Sequence, residues 1–216
     1  MPQSPHVTEP AKALARSTGD LDQVSDEVLV QALIAKQSHA ARVLWQRFSP
    51  MVRRIVRRTL GPVSDAEDLV QDVFMQLFAK VHTLRDPRAL KAFIISVTTL
   101  TLRRELRRRK LRSWLGLRPD PLAGDLRVVH PDPIGRAALE RFYTVLDRLD
   151  VRDRTAFALR YIEGMAMNDV AAALGVSLAT AKRSLAHAQR RVLLHVERDP
   201  LLADYLAMAL GEEDRD

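Results

Sequence analysis

Apolar residues in this chain recur at three- and four-residue intervals from about Ser25 to about Glu197, and the rhythm is lost once, between 113 and 135. That spacing puts the apolar side chains on one face of a helix. Runs of Val, Ile, Thr and Tyr that would form strands are nearly absent, whereas Leu, Ala, Arg and Glu are abundant and favour helix. The 216 residues are therefore expected to fold as an all-α protein of two small helical domains. The stretch between them holds Gly116, Pro119, Pro121, Gly124, Pro131, Pro133 and Gly135, a composition suited to a flexible linker. The expected organisation is a flexible tail over 1–24, a first domain over 25–112, a linker over 113–135, a second domain over 136–198, and a C-terminal helix with an acidic tail over 199–216.

In the first domain, Val28, Leu29, Ala32 and Leu33 form one apolar stripe, and Ala41, Leu44, Trp45 and Phe48 form the next. Pro50 is expected to break that helix, and Gly61-Pro62 to stop the one after it. Ser64 followed by Glu67 reads as a capping box. Leu69, Val70, Val73, Phe74 and Leu77 then bury one face, which leaves Asp68, Asp72 and Gln76 on the other. A longer helix from about Arg88 begins apolar and ends in Arg103, Arg104, Arg107, Arg108, Arg109, Lys110 and Arg112. Only Glu105 offsets that run, so it is expected to attract phosphates from several sides.

The second domain contains a short helix carrying Val170, Ala171 and Leu174, then Gly175, Val176 and Ser177, and then a helix whose Ala181, Leu185, Ala188 and Val192 face inward. Gly175 permits the positive φ of a tight turn, and Ser177 is a good N-cap. Thr180, Lys182, Arg183, His187 and Arg190 point outward. Spacing, turn glycine, cap and basic face together make a helix-turn-helix whose second helix suits a major groove. Lys182, Arg183 and Arg190 divide between phosphate and base contacts, while His187 could equally be a surface residue.

The formal net charge of +7 agrees with a polyanionic partner. The absence of cysteine excludes disulfides and thiolate metal sites. No metal site and no cofactor is expected. The most apolar stretch, Ala92 to Leu102, has about half of the ~20 residues a membrane helix needs, and the N-terminus does not read as a signal peptide. The expected location is the cytoplasm, without membrane insertion. The acids Asp65, Glu67, Asp68 and Asp72 in so basic a chain are the exception. Capping accounts for Asp65 and Glu67, but Asp68 and Asp72 are better explained by a protein contact, which charge complementarity would orient.

Asp65-Ala-Glu-Asp-Leu-Val-Gln-Asp-Val-Phe74 resembles the signature helix of region 2 in the sigma-70 family, and Leu159-Arg-Tyr-Ile-Glu-Gly164, Asp169-Val-Ala171 and Leu174-Gly-Val-Ser177 resemble region 4. Two such regions joined by a short linker, with no region 3 and no acidic region 1, are similar to the extracytoplasmic-function, or group IV, sigma factors. The resemblance implies a transcription initiation factor, not an enzyme, that binds core RNA polymerase through the β′ clamp helices and the β flap and directs it to promoter DNA. It places Asp68, Gln71, Asp72 and Gln76 against polymerase. Ser177, Thr180, Lys182, Arg183, His187 and Arg190 fall on the −35 element. Arg85, Arg88, Thr98, Thr101, Arg103, Arg104, Arg107 and Arg108 fall on the −10 element, although the threonines also suit plain helix packing. Small factors of this type are often held inactive by an anti-sigma factor clamped between the domains, which adds that class to the implied partners.

The chain departs from the family where bases are read. Trp-Leu-x-x-Ile-Ala-Arg-Asn is common on the long helix, and here Phe93-Ile-Ile-Ser-Val-Thr-Thr-Leu100 stands instead. The family's −10 base-reading chemistry does not carry over, which leaves a divergent factor with unusual promoters or one that melts DNA poorly. Two other readings are a stand-alone helix-turn-helix regulator, which would bind duplex tightly without polymerase, and a metal-dependent enzyme built on the acidic cluster. The latter lacks a second acidic cluster, a nucleophile and a base.

Overall fold

The computed structural model describes residues 24–61, 65–116 and 133–204. Among these residues there is no strand, and helices account for nearly everything. The first unit comprises α1 (Asp26–Ile34), α2 (Ser38–Leu60), α3 (Ala66–Lys80), two 3-10 turns, and α4 (Leu90–Trp114). The second comprises α5 (Pro133–Asp147), α6 (Val151–Phe157) with a π-helical extension over Ala158–Ile162, α7 (Met167–Leu174) and α8 (Leu178–Val196). Of the tail expected over 1–24, residues 1–23 lie outside the described residues, whereas Val24 is buried in the core; most of the linker expected over 113–135 also lies outside them, as do Tyr205, Leu206 and Leu210 of the C-terminal segment.

Helix starts follow local chemistry. Ser25 Oγ accepts from the Val28 amide at 3.3 Å and caps α1. Arg47 then ties that end to α2 through Asp26 at 3.0 Å and the Val24 carbonyl at 3.0 Å. The expected capping box rests on Ser64, which lies outside the described residues; Asp65 occupies the N-cap of α3 and its side chain makes no capping bond. Glu67 instead reaches α2, accepting two hydrogen bonds from Arg53 Nε at 2.9 and 3.1 Å and one from Arg57 at 3.0 Å.

Pro50 does not break α2, which runs through it for 23 residues. A mid-helix proline costs about 3 kcal/mol. Val43, Leu44 and Phe48 before it and Val52, Ile55 and Val56 after it all face the core, and interrupting the helix would expose half of that stripe. Each such side chain contributes about 1.5–3 kcal/mol when fully buried, so burial outweighs the proline.

Leu44, Ile55, Phe74, Leu77, Ile94 and Leu102 are among the largest fully buried side chains of the first unit. Trp45 packs on Phe74 with ring centroids 4.5 Å apart. This core does not end at the unit's edge, since Ala156, Leu159, Val170 and Leu174 from the second unit belong to the same buried cluster. A smaller core, including Leu146, Phe157, Ala188 and Val192, holds α5, α6 and α8 together. The two helical units are thus packed face to face.

Candidate nucleic-acid and protein interfaces

The turn between α7 and α8 has the geometry its residues predict. Gly175 adopts φ 66°, ψ 39°, the left-handed conformation that costs glycine least. Ser177 Oγ accepts from the Thr180 amide at 3.2 Å and caps α8. Ala181, Leu185, Ala188 and Val192 are buried, while Lys182, Arg183 and Arg190 are exposed. Three cations therefore stand on one side of α8, two of them in its first two turns. The Arg183 guanidinium also donates to Thr180 Oγ1 at 3.3 Å, joining two of the expected DNA-facing residues. His187 differs from the others. Although half-exposed, it is 2.5 Å from the Asp153 carboxylate, which ties α8 to α6.

On α3, Asp68, Gln71, Asp72 and Met75 are exposed. Asp68 and Asp72 have no ion pair among the described residues, so their charge faces solvent. Gln76 is occupied: its amide donates to Thr101 Oγ1 at 2.9 Å, and its carbonyl accepts from Arg104 at 3.3 Å. It joins α3 to α4.

The long basic helix α4 is less uniformly open than its composition suggests. Glu105 is buried and accepts from Arg108 at 2.7 Å and Arg109 at 2.8 Å, while Arg109 also binds Asp65 at 2.6 Å. Arg103 donates to the Leu174 carbonyl at 3.0 Å. Burial holds its guanidinium below the usual arginine range, and Arg107 and Arg152 push the same way. Arg104 and Arg107 remain exposed. Arg85 and Arg88 are exposed in the preceding loop, where Arg88 approaches Glu27 at 3.3 Å.

Thr98 and Thr101 correct the expectation that they face DNA. Both are buried, and both hydroxyls donate back along α4, to the carbonyls of Ile94 at 2.8 Å and Val97 at 2.9 Å. Their position on the helix turns them toward the protein, because Ile94 and Val97, each four residues earlier, belong to the core.

Sequence reasoning missed a group of residues that the fold brings together where the units meet. Arg154 is buried, donating to the Thr59 carbonyl at 3.1 Å and the Leu60 carbonyl at 3.1 Å, and it pairs with Asp147. Tyr143 donates to the Arg58 carbonyl at 2.9 Å, and Arg54 binds Glu163 at 2.9 Å. One local signal was available. Arg154 lies three and four residues before Phe157 and Ala158, so it is a charge on the apolar face of its helix.

Among the described residues there is no cluster of His, Cys, Asp or Glu that could hold a metal ion, and no helix long and apolar enough to cross a membrane. The chain matches the family models for sigma-70 region 2 over 44–112 and sigma-70 region 4 over 139–192. It is 32% identical to the RNA polymerase sigma-E factor of Streptomyces coelicolor over 76% of this chain and 87% of that one. It is 30% identical to the ferric citrate uptake sigma factor FecI of Escherichia coli K12 over 63% of this chain and 79% of that one. The fold is similar to that of CnrH, solved with the cytosolic domain of CnrY, with a TM-score of 0.57 and 20% identity over 81% of this chain and 98% of that one. It is also similar to RpoE of Bartonella quintana, solved with the anti-sigma factor NepR, with a TM-score of 0.55 and 24% identity over 73% of this chain and 97% of that one. Both sigma regions are present in order, on the helices that carry the exposed acids and the basic recognition face, and the chain belongs to the sigma-70 family as an extracytoplasmic-function sigma factor.

Proposed function

We propose that the three charged surfaces of this promoter-directing factor divide its work. The α3 face at Asp68, Gln71, Asp72 and Met75 meets core RNA polymerase, on the basic β′ clamp helices. The outward face of α8, with Ser177, Thr180, Lys182, Arg183 and Arg190, enters the major groove of the −35 element. Arg85, Arg88, Arg104 and Arg107 follow the DNA backbone near the −10 element. The factor acts by binding, carries no chemistry of its own, and works in the cytoplasm beside the polymerase.

The observation that supports this division best is the segregation of charge. Among the described residues Asp68 and Asp72 are exposed and form no ion pair although arginines are abundant, whereas Asp65, Glu67 and Glu105 each hold one or two arginines. A surface carboxylate left unpaired in so basic a chain is available to a cationic partner, and complementary potential both orients and speeds docking. The β flap contact falls to the second unit, and an anti-sigma factor is a further partner, of the kind solved with RpoE.

The test is assembly and run-off transcription with purified core polymerase on candidate promoters. Wild-type chain should form holoenzyme and give promoter-dependent transcripts. The Asp68→Asn/Asp72→Asn variant should keep its helical content and lose most of the assembly. Unchanged assembly by a folded double variant would refute the α3 assignment.

A further inference from the structure

We propose that the acidic segment 212–216 docks in a cationic groove on the second unit, between α5 and the end of α8, and keeps that groove from gathering other polyanions. The inference is independent of the roles given above to α3, α4 and the reading face of α8.

The groove encloses about 320 Å³, comparable with small ligand sites. Arg141, Val145 and Arg148 line one wall, spaced four and three residues apart on a single face of α5. His195 and Arg198 line the other, at the end of α8 and in the turn after it, together with Asp199. Asp199 is the only acid lining the groove, and its oxygens are occupied. Both accept from Arg141 at 2.9 Å, and one also accepts from the amides of Leu201 at 3.2 Å and Leu202 at 3.4 Å. The Arg141 hydrogen bond, above all, holds that carboxyl below its ordinary range. Asp147, next to Arg148 in the chain, pairs with Arg154 instead. Arg148 and Arg198 are exposed and have no ion pair among the described residues. His195 donates from Nδ1 to the Arg191 carbonyl at 2.7 Å, which leaves Nε2 available. Cations gathered around one occupied acid leave an excess of positive charge, which draws in a polyanion.

The chain carries a matching anion. Glu212, Glu213, Asp214 and Asp216 set four carboxylates against the single Arg215. They also follow the groove closely in sequence. A helical turn begins at Pro200, directly after Asp199, and leads to Asp204. Leu202 within it is buried in the smaller core, which fixes that turn beside α5 and α8. Eight residues separate Asp204 from Glu212, a reach of up to about 28 Å. Exposed ion pairs are individually weak, but so short a tether supplies an effective concentration in the millimolar range. A few weak pairs are then enough to hold the segment. The reading face of α8 stays free, because Lys182 lies about 20 Å along the helix axis from His195. Docking thus screens the far end of the second unit and leaves the −35 face uncovered.

The test uses the full chain. Arg148→Lys and Arg198→Lys each place an amine in the groove and keep its charge. A carbodiimide joins an amine to a carboxylate in direct contact, and peptide mass mapping locates the link. The introduced amines should link to 212–216 at least about fivefold more often than Lys182, the exposed control on α8. Roughly 0.5 M salt should suppress the difference. In a mixture of light and heavy-isotope-labelled chains, the links should join peptides of one label. The screening role is read by fluorescence anisotropy on a duplex of unrelated sequence. Glu212→Gln/Glu213→Gln/Asp214→Asn/Asp216→Asn should steepen the slope of log affinity against log salt by about 2, one increment for each arginine set free. In an Arg148→Gln/Arg198→Gln background the same neutralisation should change the slope by less than about half of that. Links to the introduced amines no more frequent than links to Lys182, or found only between differently labelled chains, overturn the docking. Links within one chain, with an equal duplex response in both backgrounds, support the docking and overturn the screening role.

Discussion

Gly61 offers the sharpest test of the packing between the two units. It ends α2 at φ 84°, ψ −166°, a region that is nearly closed to any residue with a Cβ and costs about 1–3 kcal/mol. A Cβ there would also lie 2.7 Å from Cγ and Cδ1 of the Tyr143 ring, which comes from the second unit. Tyr143 cannot easily yield, because its hydroxyl is held by the Arg58 carbonyl and its ring packs edge-on against Phe142. Overpacking of this kind costs a further ~1–3 kcal/mol. Gly61→Ala should therefore destabilise the protein by about 2–6 kcal/mol. In a Tyr143→Ala background the clash is gone and only the backbone strain remains, so the same substitution should cost about 1–3 kcal/mol. The coupling, not the total, is the prediction. Urea unfolding followed by the emission of Trp45, packed against Phe74 in the first unit, measures it; the other tryptophan, Trp114, is 82% exposed and changes little. Equal costs in the two backgrounds would mean that Tyr143 does not rest on Gly61 in solution, and the face-to-face arrangement would fall with it.

Three further outcomes are expected. Asp68→Asn/Asp72→Asn should leave the melting temperature unchanged and weaken core-polymerase binding about tenfold, as two partly exposed charge contacts of about 0.7 kcal/mol each would; the loss should shrink as salt is added, in a titration by fluorescence anisotropy. Ser177→Ala should cost about 1 kcal/mol by removing the cap of α8, measured by thermal melting. Glu67, held below its ordinary carboxyl range chiefly by its hydrogen bond from Arg53, should add stability that is complete at neutral pH and disappears as pH falls through the folded group's depressed titration. Because both partners are partly exposed the effect is modest, and Glu67→Gln should flatten the acid limb of a pH series of urea melts.

Much of the architecture is written locally. The apolar rhythm locates the helices, Ser25 and Ser177 mark two of their starts, and Gly164 and Gly175 mark ends by taking φ 68° and 66°. The helix-turn-helix was legible for the same reason: its cap, turn and basic face lie within about two dozen consecutive residues. The exposed acids of α3 were legible because a helical face is a matter of spacing.

What the sequence by itself determined is thus everything set by neighbours three or four residues apart: helix positions, caps, turns, and which face of each helix is polar. Only the tertiary structure decided which polar residues are free. Pro50 is tolerated because a core packs on both sides of it, Thr98 and Thr101 turn inward, and Gln76 is occupied by α4. Arg103 and Arg154 go to carbonyls 71 and 95 residues away. No local periodicity encodes such pairings, because a guanidinium seeks whichever unpaired acceptor the chain's folding brings within about 3 Å, and that acceptor is chosen by how two separate helical units meet.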